Sequence, residues 1–396
     1  MDEQIIDNNY KIQNHVKSLA FDRSASSTGE IDAINYIEQE LKESNIKVNF
    51  DIFLWPGFKR MIIKTVYIFL LGMLLINRLV LVVLIFFLIK NISEKLREIS
   101  FIQEEESMNL FAIITSKNKK EKNPLIIFSA HHDSFSSRLS YKSQKILNLI
   151  YQVLIIFYLI FTIFFSIWLF IDLFIHLAIT NFFINMLILT FLIGLLLFLP
   201  LIPLILSQNK KSMGSIDNAS GVAILLELVK YLNKNPLDNT NVLFLWCGAE
   251  EWGLKGSKKF CKKYKEFLNR NYDLNQSINI NIDMVGSYIG LLDKTGLKKK
   301  KMNRDLNDII ELSAKKLNIP IIKYNKTIAP KTDYKSFRTL AKKPNNGFQV
   351  SCIHSEADSK YIHTAKDTPE KCSNEILNNC LKVCLNTLKN YDSKIQ

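Results

Sequence analysis

The first residues that could carry out chemistry lie in the stretch SAHHDS, which spans residues 129–134 and follows the apolar run PLIIF. Two adjacent histidines and a nearby acid offer imidazole nitrogens and carboxylate oxygens, which are common ligands of divalent metals. His131, His132 and Asp133 are equally compatible with an ordinary polar loop. The stretch alone does not decide between these interpretations.

Four further polar clusters occur at the ends of predicted elements. GSIDNASGVA places Asp217 at the start of a helix, where an aspartate is also a good N-cap. FLWCGAEEWG places Glu250 and Glu251 directly after a strand. NINIDMVG places Asp283 at a strand end among apolar residues, where an unpaired carboxylate would be unfavourable. YIHTAKDTPE places His363 in a loop before the last helix.

The positions of these clusters indicate one shared site. Open α/β sheets form their sites beyond the carboxyl ends of strands, where His131, the glutamate pair and Asp283 are predicted to lie. Two histidines and three carboxylates, without thiolates, suit zinc or a similar divalent metal in a catalytic site. Five ligands exceed the need of one catalytic zinc, and with a bridging carboxylate they could hold two metals. The remaining glutamate could accept a proton from water.

Taken in order, SAHHDS, GSIDNASG, CGAEEWGLKGS, NIDMVG and IHTAKDT resemble the M28 family of zinc aminopeptidases. These are two-zinc exopeptidases with a phosphorylase/hydrolase-like α/β fold. The upstream stretch DRSASSTGEIDAINYIEQEL is similar to an early family segment, and KTDYKSFRTL, with Asp333 and Phe337, loosely resembles a later one. The resemblance covers most of the chain outside the apolar tracts and implies cleavage of peptides at a free N-terminus with two zinc ions per chain.

The resemblance also implies a ligand set. Asp217 matches the bridging aspartate. His131 and Asp283 match ligand positions of the family, with Asp283 on one zinc. Glu251 and His363 match the ligands of the second zinc.

Further roles follow from the same resemblance. Glu250 matches the general base, and Asp133 matches the acid that orients the ligand histidine. His132 falls at a variable position that could line the cleft. No metal is assigned to the remaining histidines. His15 and His176 are interpreted as non-functional, and His354 is interpreted as a neutral polar residue near the cleft.

The longer of two apolar tracts covers residues 146–207. Because one span needs about 20 apolar residues, this tract predicts two transmembrane helices, near 147–171 and 182–206. The turn between them is expected around Asp172, His176 and Asn181.

The shorter apolar tract, residues 61–90, is interpreted as a hairpin of two short helices that turns at Asn77 and Arg78. A single long helix would place Arg78 near the middle of the bilayer, at a cost of roughly 3 kcal/mol or more. With the longer tract, about four transmembrane helices are expected.

Charge and cysteine content favour a catalytic domain that faces the cytoplasm. Lysine and arginine concentrate at the tract ends that join the polar part of the chain, and such residues stay on the cytoplasmic side. The six cysteines form no CxxC pair, which suits a reducing compartment. The net charge of +14 is better explained by anionic lipid than by nucleic acid, because no nucleic-acid-binding motif is present.

Outside the tracts, helix and strand patterns alternate. GEIDAINYIEQELKESN predicts a helix with Ile31, Ile34, Ile37 and Leu41 on its buried face, and PLIIFSA and NVLFLWCGA predict buried strands. These patterns predict an α/β domain with a largely buried central sheet, and the family resemblance implies that the sheet is mixed and flanked by helices. The predicted domain comprises residues 1–57, 92–145 and 208–396, and each inserted tract must enter and leave the membrane on the same side.

The sequence thus favours a multi-pass, membrane-anchored zinc metallopeptidase that removes N-terminal residues from peptides. Two alternatives share the same fold: a catalytically silent receptor or scaffold, and a zinc enzyme similar to glutaminyl cyclases. A transport function for the helices is less favoured, because the spans consist almost wholly of Leu, Ile and Phe. The oligomeric state is not predicted.

Overall fold

The structure, a computed structural model, divides into two units, which we call the sheet unit and the helix unit. The sheet unit comprises Met1–Trp55, Glu106–Arg138 and Lys210–Gln396, and the helix unit comprises Pro56–Glu105 and Leu139–Asn209. The structure describes residues 9–57, 59–76, 104–137, 139–175, 180–202, 212–340 and 347–395.

A nine-stranded mixed sheet forms the centre of the sheet unit, in the order β1–β2–β4–β3–β5–β9–β6–β7, with β8 paired to β6. The strands are β1 Asn49–Trp55, β2 Glu105–Ile114, β3 Leu125–His131, β4 Asn241–Cys247, β5 Ile278–Ile282, β6 Gly290–Thr295, β7 Lys300–Lys301, β8 Ile322–Lys326 and β9 Gln349–Ile353.

The four central strands, β4, β3, β5 and β9, are parallel to one another. Their carboxyl ends therefore meet at one edge of the sheet, with His131 opposite Cys247 and Ile282 opposite Ile353. Every residue of β3 and β5 is buried, as expected for parallel strands covered on both faces. The predicted mixed sheet flanked by helices is confirmed.

Ten α-helices lie in the described residues. In the sheet unit these are α1 Asn9–Ser18, α2 Thr28–Glu43, α6 Ser220–Lys234, α7 Lys255–Asn271, α8 Leu306–Lys315, α9 Tyr334–Phe337 and α10 Asn374–Asp392; in the helix unit they are α3 Lys59–Ile76, α4 Tyr141–Ile175 and α5 Thr180–Leu196.

Helix α2 begins after Ser27, whose side chain accepts a hydrogen bond from the Glu30 amide. Its buried face carries Ile34, Ile37 and Leu41, as predicted. The prediction was wrong for Ile31, which is 53% exposed. In the first turn the buried position belongs to Glu30, because its carboxylate accepts a hydrogen bond from Ser107 on β2.

Among the described residues, one helix is long and apolar enough to cross a membrane, over Tyr141–Leu169 within α4. The apolar parts of α3 and α5 are shorter, at Ile62–Leu75 and Ile184–Leu196. The expectation of about four transmembrane helices is therefore wrong for the described chain. Helix α5 stops at Leu196, short of the predicted 206, and a turn leads into Pro200, which lacks an amide donor.

The turns predicted for the two tracts are only partly described. Helix α4 continues through Asp172 to Ile175, so the predicted turn cannot begin at Asp172. His176, Asn77, Arg78 and the second half of the proposed hairpin, residues 77–90, lie outside the described residues.

The three helices of the helix unit pack closely around Tyr158. Its hydroxyl donates a hydrogen bond to the Phe69 carbonyl at 2.8 Å. Gly72 contacts Tyr158 so closely that a Cβ atom would overlap the ring, and Gly194 makes a similar approach to Phe69. Glycine thus permits these helices to come together, while large apolar side chains remain exposed on the outside, including Ile156, Ile160, Phe164 and Ile167.

Candidate metal centre

The carboxyl edge of the parallel strands places the predicted ligands together. His131 ends β3, and Asp283 directly follows β5. Glu251 lies in the turn after β4, and His363 lies in the loop after β9. Asp217 lies in the tight turn Ser215–Ala219 that precedes α6, so it precedes the helix rather than starting it.

These side chains form two groups that share Asp217. In the first group, His131 Nε2 lies 2.9 Å from Asp217 Oδ1 and 3.5 Å from Asp283 Oδ1. In the second, His363 Nε2 lies 2.9 Å from Glu251 Oε1 and 3.3 Å from Asp217 Oδ2. The two oxygens of Asp217 therefore face different histidines, which is the arrangement required of a bridging carboxylate.

Both groups fit a divalent metal. With metal–ligand bonds of about 2.0–2.1 Å, two ligand atoms of a tetrahedral zinc site lie about 3.3 Å apart. The four distances above, 2.9–3.5 Å, bracket this value. Imidazole and carboxylate donors suit zinc, and all five residues are buried except Glu251, which is partly buried.

Asp133 connects the two loops that carry the site. Its carboxylate accepts hydrogen bonds from the backbone amides of Glu250 and Glu251 at 3.0 and 3.2 Å. Its backbone carbonyl lies 3.0 Å from His131 Nδ1, and its carboxylate Oδ1 lies 3.5 Å from the same nitrogen. Asp133 is thus placed to orient both the histidine and the glutamate pair.

Gly221 and Asn218 bring the Asp217 turn against the end of β5. A Cβ atom at Gly221 would lie 2.6 Å from the Ile282 carbonyl oxygen. The Asn218 side chain donates to that same carbonyl at 2.9 Å and accepts from the Met284 amide at 3.2 Å. The Asp217–Asn218 peptide bond is cis. These contacts hold Asp217 close to Asp283.

Three residues of the site loops have left-handed backbone conformations, with positive φ at Ala249, Met284 and His363. Such conformations cost of order 1–3 kcal/mol in residues other than glycine and cluster at functional sites. They redirect the chain directly beyond β4 and β5 and at His363. The backbone of these loops therefore adopts costly conformations that position the side chains of the centre.

Arg23 and Asp367 also shape the site, although the sequence analysis did not single them out. Arg23 is fully buried and donates hydrogen bonds to the carbonyls of His132 at 2.8 Å and Gly214 at 2.8 Å. Asp367 accepts from the amides of Ile216 and Asp217 at 2.6 and 3.3 Å. Arg23 lies in the motif DRSASSTG and Asp367 in the motif IHTAKDT. Their position in these motifs was the sequence signal that could have pointed to a role in the site.

The pKa values of the side chains in the centre are set by their burial and by the contacts that these side chains make with one another. Burial raises the pKa of Glu250 well above its ordinary value and that of Glu251 to about 7. Burial opposes charge on both histidines, but the carboxylates around them together outweigh it. Glu250, with Asp133, Asp217 and Asp283, raises the pKa of His131, and Glu251 with Asp217 raises that of His363 to about 10. Burial likewise opposes charge on Asp217, yet hydrogen bonds from the two histidines hold its pKa below the usual range. This crowding of carboxylates suits a divalent cation.

The remaining histidines lie outside both groups. His132 is fully buried and lies 3.4 Å from Glu30 Oε1, so the suggestion that it lines the cleft was wrong. Its side chain is instead in the interior, next to Glu30 in the first turn of α2. His354 Nδ1 lies 3.0 Å from the Tyr324 hydroxyl, and His15 contacts Tyr36 and Glu227.

Aromatic side chains border the second ligand group. The Phe135 ring lies 5.1 Å from the His363 ring and 5.5 Å from that of Trp252, centroid to centroid. Trp252 lies 5.6 Å from Trp55. The centre therefore has an apolar wall directly beside Glu251 and His363.

Comparison with known proteins agrees with this chemistry. Residues 204–388 match Peptidase family M28. The matched segment contains Asp217, Glu250, Glu251, Asp283 and His363, whereas His131 precedes it.

One relative is the aminopeptidase YwaD of Bacillus subtilis, 37% identical over 76 residues, which cover 19% of this chain and 16% of the relative. Another is a probable leucine aminopeptidase of Arthroderma otae, 29% identical over 167 residues, which cover 40% of this chain and 42% of that protein. The chain thus spans less than half the length of either relative. The matching family and both relatives are thus described as peptidases.

A solved structure shows the fold. The aminopeptidase from Aneurinibacillus sp. strain AM-1 has a TM-score of 0.58 at 16% identity, covering 98% of this chain and 95% of that one. Glutaminyl cyclase structures are also similar in fold.

Proposed function

We propose that this protein is a membrane-anchored aminopeptidase that uses two zinc ions to remove N-terminal residues from peptides. The observation that carries the proposal is the shared carboxylate, since Asp217 presents one oxygen to His131 and the other to His363. His131, Asp283 and Asp217 would hold one zinc, and Asp217, Glu251 and His363 the other. Bound there, the ions would supply Lewis acidity to the reaction.

Glu250 is the proposed general base. Its carboxyl group is buried, and the charges of His131, Glu251 and Asp283 act on its pKa. Its backbone amide donates a hydrogen bond to Asp133 at 3.0 Å, which fixes the backbone from which the side chain extends. An ionised Glu250 accepts a proton from the attacking water and returns it to the leaving amine.

The aromatic wall of Phe135 and Trp252 supports a peptide substrate with an apolar side chain near the second ligand group. Aromatic and apolar linings are typical of pockets that bind apolar groups, with a few polar groups for orientation. In this site, the polar groups that would orient the substrate are the proposed metal ligands.

Membrane anchoring rests on α4 and on the apolar surface of the helix unit. Helix α4 is 35 residues long, and α3 and α5 add exposed apolar side chains that water would not favour. We assign the lipid bilayer as the partner of this surface. The lysine- and arginine-rich flanks favour a cytoplasmic position for the sheet unit, since such residues stay on that side of a membrane.

The test is the variant Glu250→Gln in the purified full chain. Cleavage of aminoacyl amides and dipeptides should fall by about 10²–10⁴-fold, the usual contribution of a general base, while the zinc content per chain is unchanged. Glu266→Gln, on the exposed face of α7, is the matched control and should retain activity. Full activity of Glu250→Gln would defeat the assignment.

A glutaminyl-cyclase-like reaction is tested in the same screen, because cyclases share the fold. Peptides that begin with glutamine would then release ammonia without loss of a residue. Inactivity on every substrate, by a chain that carries its zinc, would instead favour a scaffold.

A further inference from the structure

Basic side chains lie beside the turn that carries Glu250 and Glu251. Lys258 donates a hydrogen bond from its Nζ to the Gly253 carbonyl at 2.9 Å. Lys331 approaches the same glycine, since a Cβ atom at Gly253 would lie 3.4 Å from Lys331 Nζ. Both lysines are exposed. Two ammonium groups therefore meet at Gly253.

This glycine belongs to the loop of the metal centre. Its amide donates a hydrogen bond to the Glu250 carbonyl at 2.8 Å. It directly follows Trp252, whose ring packs against Phe135, and Phe135 in turn packs against the ring of His363. The two ammonium groups thus lie next to the aromatic wall and within one turn of the proposed general base.

Two further cations extend the group. Lys335 lies in α9, and Arg338 directly follows that helix three positions later. Burial lowers the pKa of Lys335, and the charges of Arg338 and Lys331 lower it further. The charge of Lys258 acts in the same direction. We call Lys258, Lys331, Lys335 and Arg338 the basic cluster.

The described chain provides little counter-charge for this cluster. Among the residues that the structure describes, no carboxylate forms an ion pair with Lys331, Lys335 or Arg338. Lys335 instead donates to the Ala329 carbonyl at 3.1 Å, and the Arg338 guanidinium lies 5.2 Å from the centroid of the Tyr334 ring. Like charges on neighbouring helix positions are destabilising. The cluster is therefore unfavourable for the fold alone and complementary to an anion.

The placement of Lys258 adds to this cost. It lies in the first turn of α7, where the helix dipole favours acidic side chains, and that turn contains none. A bound anion would offset the unfavourable interactions of the lysine.

The sign of the charge restricts which part of a peptide lies here. The amino group of the N-terminal residue is a cation, so the basic cluster repels it, whereas the carboxylates of the metal centre attract it. The aromatic wall suits an apolar side chain of that first residue. The part that remains is the peptide beyond the cleaved bond. It ends in a carboxylate when the peptide is short, and it can carry aspartate or glutamate when the peptide is longer.

We propose that the basic cluster binds a carboxylate of the peptide substrate on the C-terminal side of the cleaved bond. Lys258 and Lys331 contact this carboxylate, and Lys335 and Arg338 add attraction at longer range. The carboxylate is either the C-terminus of a short peptide or an acidic side chain of a longer one. This inference rests on the aminopeptidase activity proposed above and names the class of peptide that the site prefers.

The experiment compares pairs of substrates that differ by one carboxylate. Leucylalanine and its C-terminal amide differ at the C-terminus, whereas leucyl-aspartyl amide and leucyl-asparaginyl amide differ in the second side chain. The purified full chain, loaded with zinc, is assayed for kcat/KM on each, and the ratio within a pair is the carboxylate preference. Lys331→Gln is compared with the matched control Lys298→Gln, which removes an exposed lysine from the turn between β6 and β7.

The preference should fall roughly fivefold in Lys331→Gln, which corresponds to the loss of one exposed ion pair, and should not change in Lys298→Gln. A fall in the first pair identifies the C-terminus as the bound group, and a fall in the second identifies an acidic side chain. Preferences that are unchanged in both pairs would overturn the inference and leave the aminopeptidase activity standing. If a zinc-loaded chain cleaves none of the four substrates, the proposed function fails and the inference fails with it.

Two further measurements test whether the effect is electrostatic. The preference of the unsubstituted chain should decrease between about 0.1 M and about 1 M salt, because the Debye length falls from about 10 Å to about 3 Å. Lys331→Glu should lower the preference below that of Lys331→Gln, because a reversed charge repels the carboxylate. Equal preferences in the two variants would contradict a charge contact at this position.

Anionic lipid is the competing occupant of the basic cluster. The same assays are therefore repeated in vesicles of phosphatidylcholine with and without phosphatidylglycerol. A preference that is present in phosphatidylcholine alone and reduced by Lys331→Gln supports the peptide. A different result would assign the cluster to lipid and overturn the inference: cleavage of all four substrates that rises with phosphatidylglycerol in the unsubstituted chain but not in Lys331→Gln, with equal preferences in the two proteins.

Discussion

At the scale of single residues, the candidate centre depends most on Asp217. It is the one side chain common to both ligand groups, and each of its oxygens lies close to a different histidine. Asp367 and Asn218 hold the backbone on either side of it. A change at this residue therefore affects both groups at once.

We expect Asp217→Asn to weaken zinc binding at both positions by at least about 100-fold, because even groups that only orient metal ligands contribute 10–100-fold to affinity. The amide nitrogen would present hydrogens where a ligand oxygen is needed. Zinc per chain, measured after dialysis against a weak chelator, checks this. Asp51→Asn, which alters a buried carboxylate on β1, should retain its zinc, and normal zinc content in Asp217→Asn would contradict the bridging role.

At the scale of elements, a buried polar network joins α1, α2 and α6. His15 Nε2 lies 2.8 Å from Glu227 Oε1, and His15 Nδ1 lies 2.6 Å from the Tyr36 hydroxyl. Lys230 binds Glu40 at 2.6 Å and lies 3.4 Å from Glu227. Because α6 directly follows the Asp217 turn, this network stabilises the helix that supports the centre.

Glu227 should make the stability of the fold dependent on pH. Burial alone would raise its pKa, but the hydrogen bond with His15 and the charge of Lys230 lower it overall. A carboxyl group with a lowered pKa in the folded state adds stability above its ordinary pKa of about 4.3 and loses that contribution as the pH falls through the lowered value.

We therefore expect Glu227→Gln to reduce the free energy of unfolding by about 1–3 kcal/mol near pH 7 and to have a smaller effect at acidic pH. Denaturation of the full chain in detergent at both pH values measures this. The exposed substitution Glu266→Gln should be neutral at each pH. A loss for Glu227→Gln that is equally large in acid would show that packing, rather than charge, explains the effect.

At the scale of the whole molecule, the chain combines a sheet unit that carries the chemistry with a helix unit whose outer surface is apolar. Both inserted segments begin and end next to strands or loops of the sheet unit. Integration into a bilayer should depend on α4 above all, since it is the described helix of spanning length.

Ile160→Arg places a charge on the exposed apolar surface of α4, where Ile160 is 63% exposed. The cost of arginine at a helix centre is about 3 kcal/mol, so a smaller fraction of the chain should resist alkaline extraction from membranes. Ile328→Arg, at an 84% exposed position of the sheet unit, is the matched control and should integrate normally. Equal integration of the two variants would argue against a spanning α4.

The sequence by itself determined the local structure and the types of residue in the centre. Strand and helix periods are local, so β3, β4 and the apolar face of α2 were predicted correctly apart from Ile31. The ligand candidates also lay in short motifs at predicted strand ends. Neither inference needed contacts between distant parts of the chain.

Only the tertiary structure decided which of these groups meet. The parallel pairing of β4, β3, β5 and β9 brings their ends to one edge, and the contact of Gly221 with Ile282 sets the position of Asp217. Arg23 and Asp367 act through backbone groups, which have no sequence pattern, and the burial of His132 depends on the distant Glu30.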